Sequence, residues 1–216
     1  METAKIKLKV FLITIFSVTA VEVLIWRLGP RLSYGSLIKT GIARITEIFF
    51  IIIIILFFGN GMKSIGLAHN TIKRGIKRGI IWSACFGTIS IIVAGILFFC
   101  DIDILHLASS GLPKKTYDIF LLILIGGIIG PIFEEFFFRG ICYGFLRRFG
   151  ILIAMALTTL IFVLPHNFRT GIPVIQAIGG AVFVIAYETE NNLMVPVVIH
   201  ISGNLALFAV SLLASI

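Results

Sequence analysis

Within the run PIFEEFFFRG, residues 131–140, two adjacent glutamates and one arginine, Glu134, Glu135 and Arg139, sit among phenylalanine, isoleucine and glycine. A charge at the centre of a membrane helix costs about 2.5–3.5 kcal/mol, and each Leu, Ile or Phe returns only about 0.3–0.6 kcal/mol. Three charges cost roughly 8–10 kcal/mol, against about 5 kcal/mol returned by the apolar residues around them. They therefore require partners, water or an interfacial position, and ionisable residues in such segments are functional candidates by default. On an α-helix Glu135 and Arg139 are four apart, share a face and pair, with the acid in the better N-terminal place. Glu134 is turned about 100° from Glu135 and has Phe138, not a cation, at its i+4 place. It is the free carboxylate of the set and a candidate general base.

Two other places carry matching chemistry. The segment FVLPH, residues 162–166, ends in His166, and HISGN, residues 200–204, sets His200 and Asn204 four apart on one helical face. If the three helices bundle, Glu134, His166, His200 and Asn204 converge on one cavity. Each is otherwise an expensive buried polar group. A carboxylate with an imidazole can hold a water and take its proton, and a second imidazole and a carboxamide can donate to the oxyanion of a tetrahedral intermediate. The set suits amide hydrolysis. Ser202 points about 160–200° away from His200 on a helix, and Cys142 has no histidine beside it in the chain, so nucleophilic catalysis fits less well. No HExxH is present. Glu134, His166 and His200 can still furnish a His₂Glu zinc set, and zinc stays open as the alternative to a metal-free site.

These residues are carried by an apolar chain. Of 216 residues 59% are hydrophobic and 13% charged, half the charged share of soluble domains, about 25%. The composition specifies an all-α, polytopic membrane bundle of seven to eight transmembrane helices around an internal polar cavity, in one domain spanning 1–216. About 20 apolar residues cross the hydrocarbon core. Seven stretches qualify with soft ends: Lys9–Leu28, Ile42–Phe58, Ile80–Cys100, Tyr117–Phe138, Ile151–Pro165, Ile172–Tyr187 and Leu193–Leu213, the fifth and sixth being short. Gly59–Gly79, sparse in apolar and rich in basic residues, is the candidate for an eighth, interfacial helix. Pro165 should end or kink the fifth helix just before His166. Gly130 and Pro131 make a second break whose freed carbonyls can face the cavity.

The rest of the chain has blander readings. The net charge of +8 is scattered between apolar runs, as topology and headgroup contact require, and excludes nucleic acid as a partner. Lys5, Lys7 and Lys9, with Lys63, Lys73, Arg74, Lys77, Arg78, Arg147 and Arg148, favour a cytoplasmic N-terminus, whereas Arg31 and Lys39 oppose it. The N-terminal run imitates a signal peptide, with Ser17 and Ala20 as a mock cleavage site, but continues to Leu28 and reads as a first helix. Cys85, Cys100 and Cys142 read as packing residues. Ile51–Ile55 reads as lipid-facing low complexity, His69, His106, Glu188 and Glu190 as solvated, and Glu22 and Glu47 as pairing with Arg27 or Arg44 or facing the cavity.

The motifs resemble those of the CPBP intramembrane endopeptidases, the CAAX prenyl protease and bacteriocin-processing family, also called Abi. EEFFFR (Glu134–Arg139) resembles its EExxxR, FVLPH its FxxxH, and HISGN its HxxxN, with FFFRGICYGFL and NNLMVPVVIH as similar flanks. The likeness covers about residues 126–205. It implies N-terminal helices in 1–116, a catalytic core in 117–213, and peptide-bond hydrolysis near the membrane surface. Glu134 would activate water with help from His166, His200 and Asn204 would stabilise the oxyanion, and Glu135 and Arg139 would support them. It implies membrane lipid and a peptide or protein with a membrane-proximal cleavage site as partners: a peptide precursor, a C-terminal sorting signal or a CAAX-like tail. The small chain is expected in a prokaryotic plasma membrane. A non-catalytic bacteriocin self-immunity protein of the same fold is the alternative function. A proton-coupled carrier is disfavoured because no internal repeat is visible.

Overall fold

The computed structural model describes residues 6–101, 112–166 and 173–213, and every regular element among them is helical. His106 lies outside the described residues. Among the described residues seven helices make the bundle: α1 (Leu8–Leu28), α2 (Ser36–Phe58), α3 (Ile72–Phe99), α4 (Thr116–Phe149), α5 (Ile151–Val163), α6 (Val174–Glu190) and α7 (Met194–Leu213). Five of these segments, Leu8–Arg31, Ser36–Phe58, Met62–Phe99, Thr116–Phe149 and Met194–Leu213, are long and apolar enough to cross a membrane. At 1.5 Å per residue, α5 and α6 reach about 20 and 25 Å, short of the roughly 30 Å hydrocarbon core.

Helix α4 is central and packs against α1, α2, α5, α6 and α7. Helices α1 and α2 form an antiparallel hairpin, and α3 lies along α7 at the periphery. The α3–α7 approach is close because α3 presents glycines four apart. A Cβ on Gly75 would strike the Asn192 side chain, and one on Gly79 would come within 2.6 Å of Val198 Cβ. Small residues at this spacing let membrane helices meet backbone to backbone. Gly150, at φ 111°, makes the turn from α4 to α5, and Asn191, at φ 53°, caps α6. These are left-handed values that glycine and asparagine adopt most readily.

Several expectations need correction. The segment 59–79 forms no separate interfacial helix. Short 3₁₀ turns at Met62–Ile65 and His69–Thr71 lead into α3, which starts at Ile72, eight residues before the expected Ile80. Lys73, Arg74, Lys77 and Arg78 occupy its first two turns, where long basic side chains can reach the headgroups. The isoleucine run is not wholly lipid-facing. Ile51, Ile54 and Ile55, at i, i+3 and i+4, are buried in the core, because helical periodicity turns one face of any uniform run inward.

Glu22 and Glu47 both pair with Arg44, the latter at 2.6 Å, and Arg44 stacks over the Phe133 ring at 4.3 Å. Glu188 and Glu190, expected in a solvated connection, lie in the last turn of α6 and clamp it to its neighbours. Glu188 accepts hydrogen bonds from Tyr143 Oη (2.7 Å) and Arg147 (2.7 Å) of α4. Glu190 accepts from Arg78 (2.6 Å) and Trp82 Nε1 (3.0 Å) of α3. These charge-assisted bonds also hold the Glu190 carboxyl below the ordinary glutamate range.

Candidate active site

Helix α4 is not a uniform α-helix. It runs as α over Thr116–Leu121, as π over Leu122–Ile129, as α over Gly130–Glu134, and as π again over Glu135–Tyr143. Such π segments recur at functional sites because they displace side chains and free backbone groups. The second switch falls between the two adjacent glutamates. The first ends where the Gly130 N–H donates to the Ile125 carbonyl. One residue on, the same i→i−5 pattern would have residue 131 donate to Gly126, but Pro131 has no N–H. Asn204 of α7 supplies the missing donor, its Nδ2 reaching the Gly126 oxygen at 2.9 Å. Gly126 and Gly127 permit the approach, since a Cβ on Gly127 would come within 2.8 Å of Leu205 Cδ2. The expected freed carbonyl exists, and Asn204 takes it up.

The two glutamates part ways. Glu135 is fully buried and accepts from Arg139 Nη1 at 2.8 Å, the i,i+4 pair the spacing predicts. Arg139 is equally buried, donates from Nη2 to the Gly180 carbonyl of α6 at 3.1 Å, and lies 4.5 Å from the Phe162 ring centroid and 5.2 Å from that of Phe183. Its charge is thus met by a carboxylate, a carbonyl dipole and two aromatic faces, which offset its desolvation. Glu135 Oε2 and Arg139 Nε have no protein partner. Glu134 keeps 26% of its side chain exposed, and its Oε2 lies 3.6 Å from His200 Nε2.

His200 links these groups. Its Nδ1 lies 2.8 Å from Glu135 Oε1, and its ring stacks on Phe183 with centroids 4.5 Å apart and planes 24° apart. A carboxylate oxygen only accepts, so Nδ1 carries a proton and Nε2 is the atom presented to Glu134. His166 follows the break that Pro165 was expected to make. Helix α5 ends at Val163, and the His166 N–H bonds to the Val163 carbonyl at 3.0 Å, not to Phe162 as an α-helix would require. The Phe162 carbonyl is taken instead by His166 Nδ1 at 2.8 Å. A carbonyl also only accepts, so Nδ1 holds a proton and Nε2 is the His166 nitrogen left available. The Phe162 ring touches both imidazoles, with centroids 5.0 Å from His166 and 5.8 Å from His200.

The structure thus joins Glu134, Glu135, Arg139 and His200 in one polar network. Asn204 is anchored one turn beyond His200, and His166 lies across the Phe162 ring. Among the described residues no three His, Cys, Asp or Glu side chains are grouped closely enough to hold a metal ion. His200 and His166 both bond through Nδ1, to Glu135 and to the Phe162 carbonyl, which leaves Nε2 as the atom either ring would offer to a water, a substrate or a zinc ion. The polar cluster is partly open at Glu134, but the expected cavity does not appear there: pockets among the described residues lie instead at Trp26, Arg27 and Pro30 and between α4 and α7 around Ile119 and Phe208. Phe183 and the carbonyls of Gly126 and Gly180 escape motif reading. The signals for them were the paired glycines 126–127 and 179–180, which mark close backbone approach.

Residues 116–206, which hold all these groups, match the Rce1-like family, described as type II CAAX prenyl endopeptidase. A stretch of 91 residues is 36% identical to the membrane-embedded CAAX protease MroQ of Staphylococcus aureus (strain USA300), covering 39% of this chain and 36% of that protein. The match therefore spans little more than a third of that relative's length. No solved structure matches. The motifs, their placement on α4, α5 and α7 and both comparisons agree: the segment 116–206 is similar to the Rce1-like, type II CAAX prenyl endopeptidase family.

Proposed function

We propose that the chain is an intramembrane endopeptidase that hydrolyses a peptide bond of a membrane-associated substrate without a metal. The observation that carries the reading is the His200 bridge. One imidazole touches two adjacent carboxylates, of which Glu135 is consumed by Arg139 and Glu134 is left open. Glu135 and Arg139 cancel in charge inside the bundle, which leaves Glu134 as the carboxylate with no arginine, facing His200 Nε2 at 3.6 Å.

In this reading Glu134 removes a proton from a water as its oxygen attacks the scissile carbonyl carbon. His166, with its free Nε2, accepts a second hydrogen bond from that water. The carbonyl π electrons move to oxygen, and the oxyanion is met by His200 Nε2–H and by the Asn204 Nδ2 proton not given to Gly126. The C–N bond then breaks, and the leaving nitrogen takes the proton held by Glu134. The products are a carboxylic acid, which ionises, and an amine.

Peptide precursors, C-terminal sorting signals and CAAX-like tails are the substrate classes that fit. The basic end of the bundle gathers Lys7, Lys9, Lys73, Arg74, Lys77 and Arg148, with Ile6 of the N-terminal segment held by Arg148, and supports a cytoplasmic N-terminus. The test is mass spectrometry of peptides from cells carrying the wild type or Glu134→Gln, followed by cleavage of the differing peptide with purified protein. Identical peptide spectra and equal cleavage by the two proteins would end the proposal.

A further inference from the structure

We propose that Phe183 of α6, which lies outside all three motifs, is a positioning residue for His200. The inference rests on the functional reading above, in that it assigns His200 a reacting nitrogen. An imidazole on a helix has two soft torsions. A hydrogen bond at Nδ1 fixes which nitrogen points to Glu135 but leaves the ring free to tilt about the line of that bond. A face-on aromatic neighbour removes the tilt. Phe183 is that neighbour: it is 6% exposed, centred 4.5 Å from the His200 ring and within 24° of parallel. Phe162 meets the same ring edge-on, at 5.8 Å and 76°. Plane and in-plane direction are thus both determined, and Nε2 is held toward Glu134 at 3.6 Å.

Two further contacts make this more than core packing. The Phe183 ring lies 5.2 Å from the Arg139 guanidinium, so one aromatic ring contacts both the cation that fixes Glu135 and the imidazole that Glu135 orients. Aromatic faces attract cations, more so where water is excluded. The ring is itself held edge-on by Phe162, with centroids 6.2 Å apart. Helix α6 can come this near because Gly180, whose carbonyl Arg139 uses, has no side chain; a Cβ there would meet the Phe162 ring at 3.0 Å. Neither Leu nor Met supplies a flat π face, although both fill the volume.

The test uses the full chain in phospholipid nanodiscs, labelled with ¹⁵N-histidine. The sequence has four histidines, His69, His106, His166 and His200, so single His→Gln variants assign every signal. Wild type and Phe183→Tyr should each show His200 as one hydrogen-bonded Nδ1–H form with ring-current-shifted carbon-bound protons. Phe183→Leu should lose that shift and broaden into exchanging ring orientations, while His166 stays unchanged. Should Phe183→Leu fail to fold, Phe183→Met carries the same comparison. Turnover of a cleaved peptide should fall about three- to tenfold in Phe183→Leu, the range of one aromatic–cation contact, with KM unchanged and recovery in Phe183→Tyr. An unaltered His200 signal in the Leu or Met variant overturns the proposal. Equal cleavage by wild type and Glu134→Gln, with His200 still responding to Phe183→Leu, overturns the protease reading and leaves the positioning role standing.

Discussion

Glu134 and Glu135 are neighbours in the chain, yet they meet one imidazole from its two sides, Glu135 at His200 Nδ1 and Glu134 facing Nε2. The helix changes from α to π between them. Two residues of identical chemistry are thereby given different duties: one is buried and neutralised by Arg139, and the other is open and without a bonded cation.

Substitution should separate these duties. Glu135→Gln leaves Arg139 buried without its carboxylate, and breaking such a pair costs about 3–5 kcal/mol. Glu134→Gln removes a partly exposed carboxylate that has no arginine, and stability should change by less than about 1 kcal/mol. Unfolding midpoints in lipid or mild detergent should therefore drop for Glu135→Gln and hold for Glu134→Gln. A comparable loss in both would contradict the division of roles.

Activity should run the other way for Glu134. Loss of a general base costs about 10²–10⁴-fold in rate, so Glu134→Gln should cleave peptide at least a hundredfold more slowly while still binding it. His166→Gln, which removes the free Nε2, should also slow turnover, and Phe162 should keep its packing. Rates from purified protein settle the point.

Pro131 offers a test of the Asn204 anchor. Pro131→Ala restores an N–H that can bond Gly126, so it competes with Asn204 Nδ2 for the same oxygen. The variant should be as stable as wild type or more so, and should cleave about tenfold more slowly, as a lost oxyanion-hole donor costs at least about that much. A fully active Pro131→Ala would show that Asn204 does not depend on this carbonyl.

Cleavage should survive chelators. In the proposed reading Glu134 and His166 activate the water directly, and no group of three metal ligands is assembled among the described residues. Full activity after EDTA and phenanthroline treatment is the expected result, and restoration by added zinc alone would refute it.

The clamp on α6 should make stability depend on acid. Hydrogen bonds from Arg78 and Trp82 hold the Glu190 carboxyl below its ordinary value. A carboxylate depressed in the folded state contributes stability that is fully present above its unfolded value, about 4.3. That contribution is lost as pH falls through the lower folded value. Melting points should fall across this acid window in the wild type and fall less in Glu190→Gln, as followed by thermal scans at stepped pH.

Much of the site was legible because membrane segments penalise charge so heavily that every retained polar residue carries information. Glu135–Arg139 and the shared face of His200 and Asn204 follow from helical spacing alone, and Pro165 marked the end of α5 before His166. What could not be read was backbone geometry. The π turns of α4 have no simple side-chain signature, so the free Glu134, the paired Glu135 and a freed carbonyl near Pro131 could be read, but not that the carbonyl is Gly126's, that Asn204 takes it up, or that the helix changes form between the two glutamates. Glu188 and Glu190 were misjudged because their partners lie 41 to 112 residues away. Phe183 is one apolar residue among many until its ring is seen against His200.

The paired tethers at the end of α6 have a mechanical corollary. Glu188 ties that end to α4 and Glu190 ties it to α3, while Asn192 just beyond ties the following turn to the Thr71 carbonyl. These three tethers bind the end of α6, the turn after it, the end of α4 and the start of α3 into one piece, so a displacement of any one of them at this rim carries the other three with it.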